Sequence, residues 1–118
     1  MNSRIVLTDE FRRQAKKLAK KHRSLSNDLQ ALFNSLIENP YQGDKIGENL
    51  YKVRLAIKSK GKGKSGGARV ITYLDIEVID EEQEIGINVL TIYDKAQAES
   101  ISSEFVKAMI EEIRAEEE

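Results

Sequence analysis

The sequence predicts an α+β fold, an antiparallel sheet packed by an N-terminal helix hairpin and a C-terminal helix. Three observations carry this. Two stretches with helical apolar spacing come first, at 11–19 and 25–37. Three strand-like stretches then succeed one another, at 51–57, 68–79 and 85–93, joined by short polar connections. A last helical pattern runs from 101 to 113. At 118 residues, with neither repeat nor linker, the chain is expected to be a single domain, 1–118.

Residues 4–7, RIVL, form a short strand, placed on an edge of the sheet or beside its centre, and Thr8 or Asp9 can cap the first helix. Phe11, Ala15, Leu18 and Ala19 fall on one helical face, and Arg12, Arg13, Lys16, Lys17, Lys20 and Lys21 on the other. A second helix starts near Ser24 or Ser26. It carries Leu25, Leu29, Leu32, Phe33, Leu36 and Ile37 as its apolar stripe and stops at Asn39-Pro40, because a residue before proline is pushed out of the helical region. Residues 42–49 read as loop.

From Tyr51 the period changes to two. Tyr51, Val53, Leu55 and Ile57 point one way, and Lys52, Arg54 and Lys58 the other. KGKGKSGG (60–67) has too much glycine for a strand or helix interior and reads as a mobile basic hairpin loop. Residues 68–79, apolar on both faces at Val70, Ile71 and Tyr73, predict a central strand. Residues 80–84 are an acidic turn and 85–93 the next strand. Asp94 and Gln97 have capping-box spacing and would open the last helix, whose apolar positions are Ile101, Phe105, Ala108, Met109 and Ile113. With all helices on one face, the other face would expose Lys52, Arg54, Lys58 and Arg69.

There is no cysteine and one histidine, His22. Disulfides, thiolate metal sites, histidine triads and histidine pairs are therefore excluded. His22 suits the end of its helix, where a cation meets the dipole favourably. No apolar run approaches the ~20 residues that span a bilayer, and MNSRIVLTDEF lacks a secretory apolar stretch, so a cytoplasmic chain is expected. The net charge is −1, but residues 1–69 carry +10 and residues 70–118 carry −11. A row of cations on a strand repels itself unless a polyanion meets it, which points to nucleic acid; the bland alternative is a solvated face. Gly63-Lys64-Ser65 imitates the end of a phosphate-binding loop. The earlier glycine it needs falls at Lys58, and a strand rather than a helix comes next, so nucleotide binding is not expected. Lys58, Lys60, Lys62 and Lys64 suit an RNA backbone better.

YKVRLAIKSKGKGKSGGARVITYL (51–74) followed by GINVLTIYDKAQAESIS (86–102) resembles the RelE/ParE toxin superfamily, closest to its HigB-like branch. The N-terminal 40 residues match by pattern alone. The resemblance implies a cytoplasmic bacterial toxin of a type II toxin–antitoxin pair. Its activity would be cleavage of messenger RNA in the ribosomal A site, without metal or cofactor. Its partners would be the ribosome and mRNA, together with an antitoxin protein that carries a DNA-binding domain. It implies Lys52, Arg54 and Arg69 as catalytic and phosphate-binding cations and Lys95 as a further basic residue. Some relatives carry a tyrosine in the last helix where this chain has Ile101; Tyr93 is the candidate to replace it. The chemistry works without histidine. Clustered cations stabilise the phosphorane, a crowded lysine such as Lys52 can serve as base, and the arginines act as clamps. ParE-type relatives instead inhibit DNA gyrase, and a plain RNA-binding module is the third reading. The acidic terminus, Glu111, Glu112 and Glu116 to Glu118, is a candidate to lean on the basic face.

Overall fold

The computed structural model of the protein describes residues 2–97 and 100–117. The elements are β1 (Asn2–Leu7), α1 (Asp9–Lys21), α2 (Leu25–Glu38), β2 (Asp44–Gly47), β3 (Leu50–Leu55), β4 (Ala68–Ile79), β5 (Glu82–Asp94) and α3 (Ser103–Glu117), with a short 3₁₀ turn at Lys58–Lys60. The five strands form one sheet in the order β1-β5-β4-β3-β2. β4 is central as expected, and β1 lies on the edge.

The helix hairpin forms as its spacing predicts. Thr8 caps α1, its hydroxyl accepting from Phe11 N at 3.0 Å and lying 2.9 Å from the Leu90 carbonyl of β5. Phe11 and Leu18 of α1, and Leu25, Leu29, Leu32 and Leu36 of α2, bury against Val53, Leu55, Val70, Leu74, Ile87 and Ile92 of the sheet. Each such side chain stabilises by about 1.5–3 kcal/mol when fully buried. Ile37, part of the same apolar stripe, is exposed.

Four expectations are corrected. The sheet is mixed, because β1 pairs with β5 in parallel; the two-helix connection between them returns β1's neighbour in the same direction. Residues 42–49 contain β2, a four-residue edge strand whose pairing with β3 shifts register between Lys45 and Gly47. Such a segment is too short to show periodicity. The helices do not share one face: α3 packs on the other, with Val106, Met109, Ile110 and Ile113 against Ile71, Tyr73 and Leu90. Finally, α3 starts at Ser103, not after Asp94, and Ser102 Oγ accepts from Phe105 N at 3.1 Å. Its buried stripe is therefore rotated from the expected one. Val106 is buried, while Phe105 and Ala108 are exposed and Ile101 precedes the helix.

β4 and β5 run on together as a long hairpin closed by Asp80 and Glu81, both at positive φ (51° and 68°). Two central residues at positive φ give the primed turn whose twist matches the strands. The acidic turn is thus two residues long, and 82–84 belong to β5.

Candidate functional site

Strand periodicity puts Lys52 and Arg54 on one face of β3. Register does the rest. Arg54 stands opposite Arg69 of β4, and Arg69 opposite Tyr93 of β5, so the three form one row across three strands. One step along, Lys52 stands opposite Ile71 and Ile71 opposite Thr91. This is the face that α3 covers further along. The sequence-predicted residues Lys52, Arg54, Arg69 and Tyr93 are therefore brought together.

Two like charges directly opposite on a sheet destabilise it. The site does not relieve this with acid: among the described residues no carboxylate makes an ion pair with Arg54 or Arg69. Arg69 is only 6% exposed. Its guanidinium donates to the carbonyls of Lys64 (2.9 Å), Ala68 (3.1 Å) and Ser65 (3.4 Å). Carbonyl dipoles satisfy its donors but leave its charge in place. Arg69 thus pins the basic loop and keeps a fixed positive charge beneath the row. Arg54 is exposed.

Tyr93 is half-buried, and its hydroxyl has no hydrogen-bond partner. Burial pushes the phenol above its ordinary value, against a smaller opposing pull from Arg69. The group therefore keeps its proton at neutral pH and is built to donate. Lys52 and Tyr93 together line a cleft of about 460 Å³, whose other walls include Leu50, Ile101, Val106 and Lys107. Ile101 thus reaches the site from the segment before α3.

The loop is more tightly held than its glycine content implies. Lys58 N donates to Asp28 Oδ2 at 3.1 Å, and Ser59 N donates to Ser24 Oγ at 2.8 Å, which ties the loop to the start of α2. Lys60 turns inward and donates to Asp94 Oδ1 at 2.8 Å. It is corrected from an outward phosphate ligand to a structural ion pair. Lys58, Lys62 and Lys64 are exposed. A Cβ at Gly67 would overlap the Leu55 carbonyl oxygen, so only glycine lets the returning chain close onto β3. Lys95 is half-buried in the turn after β5, its N–H donating to the Gly67 carbonyl at 3.0 Å.

Asp94, read from sequence as a helix cap, is instead a buried hub. It accepts from Lys60 and from Ala96 N at 2.9 Å, and His22 Nε2 stands 3.4 Å from its other oxygen, beyond strong hydrogen-bond range. Burial alone would raise its carboxyl; the bonds from Lys60 and Ala96, with a smaller part from His22, overcome this and hold it below the ordinary value. Asp28 and Asp94 are the residues whose roles sequence reasoning missed. Both act through contacts 30 or more residues away, which no local pattern carries.

The row offers an amine, guanidinium groups and a phenol, which favour anions over metal ions. Among the described residues, carboxylates converge only at the far end of the sheet, where Asp75, Glu77 and Glu117 lie within 4.8 Å of one another. There the acidic end of α3 meets other acids, not the basic row on which it was expected to lean. Glu118, part of the same expectation, lies outside the described residues. No family model, curated protein or solved structure matches the chain.

Proposed function

We propose that the chain cleaves RNA at the Arg54–Arg69–Tyr93 row, with Lys52 beside it. The observation that carries this is the cross-strand stacking of Arg54 on Arg69 without a carboxylate partner. A fold retains an unneutralised pair of this kind at a cost, and an incoming phosphodiester relieves it. In this reading Arg54 grips the phosphate and Arg69 adds fixed positive charge to the developing phosphorane. The amine form of Lys52 takes the 2′-hydroxyl proton as that oxygen bonds to phosphorus. The bond to the 5′-oxygen breaks, and Tyr93 gives its proton to the leaving oxygen. The products are a 2′,3′-cyclic phosphate and a free 5′-hydroxyl.

The half-buried amine and phenol in one cleft support this division of roles. The raised position of Tyr93 supports the donor role and argues against its serving as base. The likeness of residues 51–74 and 86–102 to RelE and HigB toxins supports a narrower version. In it, the chain is the cytoplasmic toxin of a toxin–antitoxin pair, and the ribosome orients the mRNA. Weak acid and base groups make such external positioning valuable. An antitoxin partner belongs to the same version.

The test is cleavage of an mRNA with and without ribosomes, comparing the protein with Lys52→Ala and Tyr93→Phe. Cuts that need ribosomes and fall by about 10²-fold or more in both variants are expected. Unaltered cutting by the variants would remove the site. Absence of cutting by the unmodified protein would favour the gyrase-inhibitor reading.

A further inference from the structure

The outer face of α1 is the densest charge on the chain outside the row. Arg12, Arg13, Lys16, Lys17, Lys20 and Lys21 are all exposed, and the helix's only acids, Asp9 and Glu10, sit in its first turn. Glu10 pairs with Arg13. Among the described residues, Arg12, Lys16, Lys17, Lys20 and Lys21 make no ion pair.

Spacing makes this costly. Arg12, Lys16 and Lys20 succeed one another at i, i+4, and so do Arg13, Lys17 and Lys21. Residues so spaced are neighbours on a helix, and like charges there destabilise it. The helix dipole compensates only the last turn, at Lys20 and Lys21. Two parallel ladders of one sign, over about 14 Å of helix, fit an elongated polyanion.

The nature of that polyanion is set by what the face lacks. The apolar residues of α1, Phe11 and Leu18, are buried in the core. No exposed apolar strip remains to enter a bilayer, which interfacial helices require. No aromatic ring stands among the cations, so there is no platform on which single-stranded bases could stack. What remains is a straight row of point charges, suited to a stiff phosphate backbone with one charge per about 1.7 Å of axis.

We propose that the outer face of α1 docks on the backbone of double-helical nucleic acid. The face is continuous with the row described above, since Lys17 and Lys21 line a small cleft of about 170 Å³ with Tyr93 and Asp94. It carries no reacting group, so docking stands whether or not Lys52 and Arg54 cut RNA.

The measurement is fluorescence anisotropy with a short RNA duplex and a DNA duplex of the same length, from ~50 to ~200 mM KCl. The protein is compared with a combined Lys16→Gln, Lys17→Gln, Lys20→Gln, Lys21→Gln variant. At about 0.9 per phosphate released, the log–log salt slope falls by about 3, and affinity at low salt falls at least about tenfold. A Lys52→Ala, Arg54→Gln variant keeps the slope within about 2 units of the parent. The ratio of RNA to DNA affinity identifies which duplex is preferred, and tight, salt-dependent binding of either supports docking. The combined variant melts no lower than the parent, because repulsion is removed; Lys16→Gln with Lys20→Gln, losing about half the slope change, serves if it does not fold. An unchanged slope, or tighter binding to poly-glutamate, anionic vesicles or single-stranded RNA than to either duplex, overturns the proposal.

Discussion

At one end of the sheet Arg54 faces Arg69 across β3 and β4; at the other, Asp75, Glu77 and Glu117 bring three carboxylates within 4.8 Å of one another. Both ends crowd like charges, but they can relieve the crowding differently. Arg69 is buried, held by three carbonyls and flanked by strands on both sides, and an arginine does not lose its proton. The acidic end lies on an exposed hairpin and a helix terminus, where side chains can swing into water. Glu117 there is raised to about 7, chiefly by its hydrogen bond with Asp75, then by burial and by the charges of Asp75 and Glu77. A proton therefore neutralises one end, whereas the other stays charged and in place. A fixed positive charge is what stabilises a transition state without reorganisation.

The comparison breaks most severely if the cationic end loses its frame. Asp94 binds Lys60 and the Ala96 N–H while 5% exposed, so Asp94→Ala strands a buried ammonium. Removing one partner of such a pair costs about 3–5 kcal/mol, which lowers the melting temperature by about 10 °C or more. The pH dependence has a definite sign. A depressed folded-state carboxyl contributes fully above the ordinary Asp value of 3.8 and loses that contribution as pH falls through its lower folded value. Thermal melts at neutral pH check the first point, and acid titration of both proteins the second. A variant that melts with the parent would mean the hub carries no load.

Next in size, Arg54→Gln separates function from stability within the row. Arg54 is exposed and opposes Arg69, so its removal leaves stability unchanged or a few tenths of a kcal/mol higher. If the row binds the reacting phosphate, cleavage falls by about 10²–10³-fold. Melting curves and single-turnover rates on one preparation read both quantities. Lost activity together with a lower melting temperature would recast Arg54 as structural.

How far the sequence can anticipate this depends on the range of the interactions. Period two along β3 is enough to place Lys52 and Arg54 on one face, and the short β4–β5 turn fixes the antiparallel pairing that sets Arg69 beside Tyr93. Those are local signals. The cover of that same face by α3 is not legible, because the helix's phase depends on where it starts. Asp94 and Gln97 mimic a cap, whereas Ser102 supplies the real one. Lys60 reads as outward with its lysine-glycine neighbours, since nothing within the loop signals a carboxylate 34 residues later. Patterns read which face a side chain takes; they do not read which distant group waits there.

The smallest effect sharpens the acidic end. A carboxyl whose folded value is raised binds its proton more tightly folded than unfolded. Stability therefore falls as pH rises from the ordinary Glu value of 4.5 to about 7, and is flat above. Glu117 is exposed, so screening keeps the change to about 1–2 °C in melting temperature. Glu117→Gln retains a donor to Asp75 and has no proton to lose. The variant should match the parent at pH 4.5 and melt slightly above it at about pH 8, the difference opening through that window. Parallel curves would show that the three carboxylates separate into solvent as they ionise. The acidic end would then relieve its crowding by movement rather than by a proton, a route that the pinned Arg69 does not have.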